Sequence, residues 1–523
     1  MHSSSKVSSM LLGCNNSRWR RSGRVVAAAV LVMLIAGCAS LSSGSQAKNV
    51  IVMINDGAGW GTWDAAAYWQ YGSREGAPYA RFPARYGVTT YPLNLERAPT
   101  HDTVSRVGYM PERAWDIRPT GDPMLPFAGY RYLAAAATDS AAAGTALSSG
   151  TKTYNGAINH DNFGHPVAFA ARLAKGVGKA AGVVTSVPFS EATPAAFGAQ
   201  NSSRNDYHRI SRQMLSEGTL DLVMGTGAPG YNVNGTPCGR LASNESSSGC
   251  DKPSEYLARE DWQRLMAGQY LPQGGQRPWR VIRGKEEFVA LADGTLTMDG
   301  PILGVPEIAM TLQQARQAAV VGVDAGNPSG VAYVRTVPTL ALMTRGALRY
   351  LAARSGKGFF LMVEGGATDW AAHTSRCGTQ WSYGTCVNEP EYGRLIEETA
   401  DFNDAVSAVV EWIESHGGWK RNLLVVTTDH DNSMPMGPDA QSRPFAPVVN
   451  NGKGKMPGFS FRLTGDHSNA LVPLWAKGAG TEQLALRVRG WDPGYARYVG
   501  WNDGRYIDNT DVAAVVRAVL EGR

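Results

Sequence analysis

Apolar residues gather in short unbroken runs, separated by stretches with helical spacing. The runs are Val50–Ile54, Ala181–Val187, Leu220–Met224, Phe359–Val363, Leu423–Thr428 and Ala470–Trp475. Runs of this kind are what strands covered on both faces present. Helical patterns fall between them, at Pro166–Lys175, Asp206–Glu217, Thr339–Arg354, Glu391–His416 and Asp511–Glu521. A further helix, built of small residues, is expected from Ser140, downstream of the apolar stretch Tyr132–Ala137. Strands alternating with helices predict an α/β fold: a central, largely parallel sheet with helices on both faces. Two segments break the rhythm. Residues 72–126 are rich in Pro, Arg and Tyr, and residues 225–338 in Gly, Pro and Trp. Both are expected to be insertions over the ligand-binding edge of the sheet, in the manner of a lid, rather than separate domains. No internal repeat is visible.

Composition changes this picture only at the N-terminus. The chain has 523 residues, 43% hydrophobic and 18% charged, which fits an ordered globular protein. Its formal charge of +5 has one origin: residues 1–37 contain Lys6, Arg18, Arg20, Arg21 and Arg24 and no acid. Beyond them bases and acids balance. The totals therefore give no reason to expect nucleic acid or an anionic membrane surface as a partner. The same segment reads as a targeting signal. Basic residues Arg18–Arg24 precede the apolar run Val25–Ala36, which is short for a transmembrane helix. The run ends in Leu34-Ile35-Ala36-Gly37-Cys38, similar to the cleavage box of bacterial lipoproteins. A plain signal peptide with an incidental cysteine is the alternative. On the lipoprotein reading, residues 1–37 are removed, Cys38 is lipidated and anchors the protein to a membrane, and residues 38–47 form a Ser/Gly tether. The neutral Ala39 favours the outer membrane, with the protein facing the periplasm. Residues 48–523 are then one folded domain.

Four cysteines remain beyond Cys38: Cys238, Cys250, Cys377 and Cys386. Three pairings are open to them. Local bonding, Cys238–Cys250 and Cys377–Cys386, needs only short loop closures within Gly-, Ser- and Asn-rich segments. A site built from all four thiolates is the alternative, but the spacings are long for a zinc knuckle, and an oxidising compartment favours disulfides.

The candidate chemistry lies where the apolar runs end. In open α/β sheets ligands bind beyond the carboxyl ends of strands. Asp56 follows the first run, Glu364 follows Phe359–Val363, and Asp429-His430 follow Leu423–Thr428. One acid at a strand end is commonly a cap. Several converging on one edge would repel one another unless cations neutralised them. Asp369 and His373 stand at i and i+4, on one face if that segment is helical. His467 sits in the polar loop Gly465-Asp466-His467-Ser468. Such a set suits zinc, and its oxygen-rich part suits magnesium. Ser140, in Thr138-Asp139-Ser140-Ala141-Ala142, is placed at a helix N-terminus, where unpaired N–H groups and the dipole favour an anion.

These motifs, from Val50 to about Ser468, resemble the alkaline phosphatases, metal-dependent phosphomonoesterases. The segment Lys152-Thr153-Tyr154-Asn155-Gly156-Ala157 looks like the family as well. The resemblance implies two zinc ions and one magnesium. It implies Ser140 as the nucleophile that becomes phosphoserine, and a homodimer. It carries one zinc to Asp369, His373 and His467, and the second to Asp56, Asp429 and His430. It carries magnesium to Asp56, Thr193 and Glu364. Arg204, 11 residues after Thr193, matches the phosphate-clamping arginine. Four positions depart from the family's pattern. Glu191 stands where many bacterial members carry Asp, and Trp370 where Lys or His is common; both are expected beside the site. Gln200 replaces an expected histidine, and Asn55 an expected glycine. The expected activity is hydrolysis of phosphate monoesters. A phosphodiesterase on the same scaffold and a non-catalytic metal- or phosphate-binding lipoprotein are the alternatives.

Overall fold

A computed structural model describes residues 48–523 except 244, 318–326, 375–389, 461, 462 and 464. Cys38, the signal and tether, Cys377 and Cys386 lie outside the described residues. The strands are β1 (Asn49–Ile54), β2 (Ala84–Thr89), β3 (Ala180–Pro188), β4 (Leu222–Thr226), β5 (Arg280–Ile282), β6 (Ile302–Gly304), β7 (Phe359–Glu364), β8 (Asn422–Thr427), β9 (Asp431–Asn432), β10 (His467–Ser468), β11 (Val472–Gly478), β12 (Gly490–Trp491) and β13 (Arg505–Asp508). Eleven of them form one sheet in the order β12-β13-β2-β11-β8-β1-β7-β3-β4-β6-β5. From β8 to β5 the strands are all parallel; β11 and β12 run antiparallel to their neighbours.

The unbroken apolar runs have the predicted cause. Every residue of β1, β3, β4, β7 and β8 is buried. Alternate residues of β1 serve opposite faces. Ile51 and Met53 pack with Met343, Ala347, Val406 and Trp63 on one side. Val50, Val52 and Ile54 pack with Ala141, Leu147, Ala170 and Val516 on the other. Removing one large side chain from such a layer, as in Phe360→Ala, costs about 3–5 kcal/mol. Helix ends carry the expected caps. Thr339 accepts from the Leu342 N–H ahead of the helix Leu340–Arg354, and Asp206 from Arg209 ahead of Tyr207–Ser216. Among the described residues no helix is long and apolar enough to cross a membrane.

The two irregular segments are not simply insertions over the sheet. Residues 72–126 contribute β2, which pairs with β11 and β13 inside the sheet. Residues 225–338 contribute β5 and β6, which extend its far side. Strands of three residues are too short to show a period, and β2 mixes Arg85 and Gly87 with its apolar positions. Part of the first segment is also fastened down. Tyr109 Oη and Trp115 Nε1 donate to buried Asp492 at 2.6 and 2.9 Å. A disulfide joins Cys238 to Cys250.

Candidate active site

Strand register brings the predicted residues together. Ile54 lies beside Glu364 and Thr427, and Thr185 beside Glu364, so the residues that follow β1, β7 and β8 are neighbours. Asp56 enters on the turn after β1, where Gly57 takes φ +68 and donates its N–H to Asp429 at 3.1 Å. A Cβ at Gly57 would stand 2.5 Å from Asp369 Oδ1, so the close approach also requires glycine.

Ser140 opens the helix Ser140–Ser149, and Asp139 caps it by accepting from the Ala142 N–H at 3.0 Å. Gly144 lets this helix settle on the short helix Ala192–Ala196, since a Cβ there would lie 2.9 Å from the Ala196 Cβ. That packing delivers Thr193, whose hydroxyl donates to Asp56 at 3.1 Å and Asp429 at 3.4 Å. Ser140 Oγ lies 3.1 Å from His430 Nε2. The same nitrogen is 3.2 Å from Asp429 and 3.6 Å from Asp56.

The second half of the site begins on the far side of His430, whose ring stacks on His467 with centroids 3.7 Å apart. His373 Nε2 is 3.1 Å from both Asp369 and His467. The Nδ1 atoms of His467 and His373 face the carbonyls of Thr138 and Gly465, at 2.8 and 2.7 Å. Those contacts fix Nδ1 as the protonated nitrogen and turn Nε2 inward, as in histidines that hold metals.

Arg204 lies beside Ser140's capping residue. Its Nη1 is 3.2 Å from Asp139, and its Nη2 is 3.6 Å from Glu191. Burial opposes the guanidinium charge, but Asp139 and Glu191 more than reverse this and raise its pKa. Trp370 is half-buried in the helix Ala367–Thr374, and its carbonyl accepts from the Thr374 hydroxyl at 2.9 Å. Gln200 donates to the Val167 carbonyl at 2.7 Å, and Asn55 accepts from Thr368 at 2.7 Å.

Several partners were not picked out in the sequence. The Thr185 hydroxyl donates to Glu364. Asn432 Nδ2 donates to Asp369 at 2.7 Å, and Asn155 Oδ1 accepts from the Asp139 N–H at 3.1 Å. Burial raises the pKa of Glu191 against the opposing pull of Arg204 and the Tyr207 hydroxyl. Ser433, with φ 62, donates to the Ala372 carbonyl at 3.2 Å and ties the His373 helix to the loop after β8. Asn155 lay within the motif already singled out; the others are ordinary polar residues whose partners are distant in sequence.

The electrostatics fit a cation site. Burial, then Asp429, Asp369 and Glu364, push Asp56 well above the usual carboxylate range. Burial with the Asp429 charge pushes Glu364 up to about 8, and burial with Asp369 pushes Asp429 up to about 6. Burial also acts against Asp369, but His373 and His467 more than reverse it and hold that carboxyl low. Burial, with His467, keeps His430 neutral, the form that binds metals. Asp56 Oδ1 and His430 Nδ1 are buried without a hydrogen-bond partner among the described residues. Ligand atoms of Asp369, His430 and His467 lie within 4.8 Å of one another, as do those of Asp56, Asp429 and His430. Mixed nitrogen and oxygen donors suit zinc, and the oxygens of Asp56, Thr193 and Glu364 suit magnesium.

Comparison with known proteins agrees with this geometry. The chain is 27% identical over 507 residues to a streptomycin-6-phosphate phosphatase of Streptomyces griseus, covering 90% of this chain and 94% of that protein. It is 26% identical over 491 residues to the alkaline phosphatase of Escherichia coli K12, covering 91% and 87%. Its fold matches the alkaline phosphatase of the Antarctic bacterium TAB5 with a TM-score of 0.54 and 20% identity, over 92% of this chain and all of that one. The alkaline phosphatase family model matches residues 124–456, more than half of the chain, and spans Ser140, Arg204 and all but two of the metal-site residues. The protein is a hydrolase that belongs to the alkaline phosphatase family.

Proposed function

We propose that the protein is a zinc-dependent phosphomonoesterase that works through a phosphoserine on Ser140. The observation that carries this is the position of Ser140 Oγ, 3.1 Å from His430, which groups with Asp56 and Asp429, and at the N-terminus of a helix. Two zinc ions, held by Asp369, His373 and His467 and by Asp56, Asp429 and His430, with magnesium at Asp56, Thr193 and Glu364, would ease loss of the Ser140 proton and neutralise charge on the attacking and leaving oxygens. The chain's own residues supply the rest. Ser140 Oγ forms a bond to phosphorus as the ester oxygen leaves. Free N–H groups at the start of its helix favour the phosphoryl charge. Arg204 offers a planar fork to two non-bridging oxygens, and Asp139 and Glu191 hold that fork in place beforehand. Water then cleaves the phosphoserine and releases inorganic phosphate. Positioning and charge neutralisation are what phosphoryl transfer chiefly needs.

Steady-state kinetics on an aryl monophosphate and its diester, with metal content measured on the same sample, test the reading. The monoester is expected to be far the better substrate; preference for the diester would establish the phosphodiesterase instead. The cleavage box at Gly37-Cys38 supports a second part of the proposal: a lipoprotein tethered through Cys38, facing the periplasm from the outer membrane. Cys38→Ser should release the protein from membranes or block its processing. Unchanged fractionation would refute the anchor.

A further inference from the structure

The edge of the sheet opposite the site has its own chemistry. Residues just before a parallel strand lie at that amino edge, as do the last residues of antiparallel β11. Lys48 precedes β1, Arg81 precedes β2, Lys357 precedes β7, and Lys420 and Arg421 precede β8. Arg354 ends the helix that leads to β7, Arg277 and Arg280 stand at the start of β5, and Lys477 lies near the end of β11. Arg81, Arg277, Arg280, Arg354, Lys357, Lys420 and Arg421 are exposed, and Lys48 and Lys477 are half-buried. Exposed acids on this edge, Asp293, Asp299, Glu414 and Glu482, are fewer, and buried Asp221 pairs with Arg354 at 3.7 Å. Strands 4.8 Å apart spread the basic face over about 40 Å, from β2 to β5.

The cations nearest the chain's entry are tied together. Lys179 Nζ donates to the carbonyls of Lys48 and Lys357 at 2.7 and 2.9 Å, and the Lys48 N–H donates to Arg421 at 2.6 Å. Lys477 Nζ stands 4.2 Å from the centre of the Trp419 ring, which gives the face an aromatic element.

We infer that this amino edge is a docking surface for the anionic headgroups of a phospholipid bilayer, and that it holds the catalytic edge away from the membrane. The inference rests on the lipid-anchor reading of Cys38. Two observations fix the occupant. Residues 38–47 enter the sheet at Lys48, within the basic face. Ten residues reach about 35 Å at most. To present the opposite edge, the tether would have to run back across a helix layer and along a strand's length, about 30 Å in all, which uses nearly its whole reach. The second observation is charge. A Lys or Arg near an anionic leaflet is attracted with an effect of about fivefold in binding. The balanced total charge hides this local excess of bases.

The test places the purified full-length lipoprotein on vesicles of phosphatidylcholine alone and of phosphatidylcholine with about 30% phosphatidylglycerol, which mimics an anionic leaflet. Lysine acetylation is then mapped by mass spectrometry. Lys357 and Lys420 should lose reactivity several-fold on the anionic vesicles only and recover in about 1 M salt, where screening is nearly complete. Lys252, near the carboxyl end of β4, should stay reactive throughout. Lys357→Glu with Arg421→Glu should abolish most of the protection of Lys420 while turnover stays unchanged. Equal reactivity on both vesicles, or protection of Lys252 instead, overturns the inference. The mass of the N-terminal peptide decides the anchor separately. If Cys38 carries no lipid, that reading falls, and protection by vesicles added to the unlipidated protein still decides whether this face binds.

Discussion

The two edges of one sheet treat charge in opposite ways. At the carboxyl edge Asp56, Glu364, Asp369 and Asp429 are buried within a few ångströms of one another. At the amino edge Lys357, Lys420 and Arg421 stand in water. Solvated charges cost little and contribute little to stability. Buried like charges are costly unless they are paired, protonated or bound to a cation. The carboxyl edge is therefore organised around what it binds. At the amino edge the basic residues are exposed and form a surface. The sharpest test of the contrast is to damage each edge and read both turnover and binding.

The largest effect should come from Ser140→Ala. Phosphoserine labelling should disappear, and turnover should fall on the order of 10⁴-fold. Measurable labelling at another residue would remove Ser140 from its role. Charge reversal at Lys357 and Arg421 should leave turnover within about twofold, since neither belongs to the site.

Next comes His467→Ala, which deletes a donor stacked on His430. Zinc content measured by elemental analysis should drop by about one ion per chain, with turnover lower by roughly 10³-fold. Prolonged chelation should reproduce the loss in the wild type, and added zinc should reverse it. Equal zinc content in both proteins would show the ligand assignment to be wrong.

Arg204→Ala should have a smaller and more selective effect. Loss of a charge-assisted bidentate contact costs about 1.5–3 kcal/mol, or roughly 10- to 150-fold. A diester has one fewer free oxygen to clamp, so its hydrolysis should suffer much less. Equal losses on both substrates would contradict the clamp.

What was legible in the sequence follows from the same contrast. Asp56, Glu364, Asp429 and His430 stood out because each closely follows a run buried on both faces, and such runs are visible without a partner. Asp369 and His373 stood out through their i, i+4 spacing. Strands β5, β6 and β12 were illegible, being two or three residues long at or near the sheet's margins. Asn432 and Thr185 were illegible because a polar side chain acquires its role only from a contact distant in sequence. The basic face was hidden for another reason. Bases and acids cancel in a total, and only the sheet's direction shows which bases share an edge.

The smallest effect concerns buried charge beside the site. The helix Pro390–Ser415 buries Glu397 against Arg316, with Oε2 2.6 Å from Nη2. Its neighbour Glu398 is 4% exposed, and its Oε1 has no hydrogen-bond partner among the described residues. Burial, with the Asp401 charge, pushes Glu398 up to about 8 against the opposing pull of Arg316. A carboxyl raised in the fold favours the protonated form, so the folded state is penalised once that proton must leave. The penalty is absent below the ordinary value of 4.5, grows as the pH rises towards 8, and is complete above it. Glu398→Gln keeps the shape and removes the charge. It should raise Tm by on the order of 2 °C at pH 9 and leave it unchanged at pH 4. Arg316→Met should do the opposite and destabilise strongly at neutral pH, because it leaves Glu397 buried and unpaired. Thermal scans of both variants across this range would separate a penalised acid from a paired one. A Glu398→Gln gain that did not grow with pH would mean that Glu398 stays charged in the fold and that Arg316 compensates both acids.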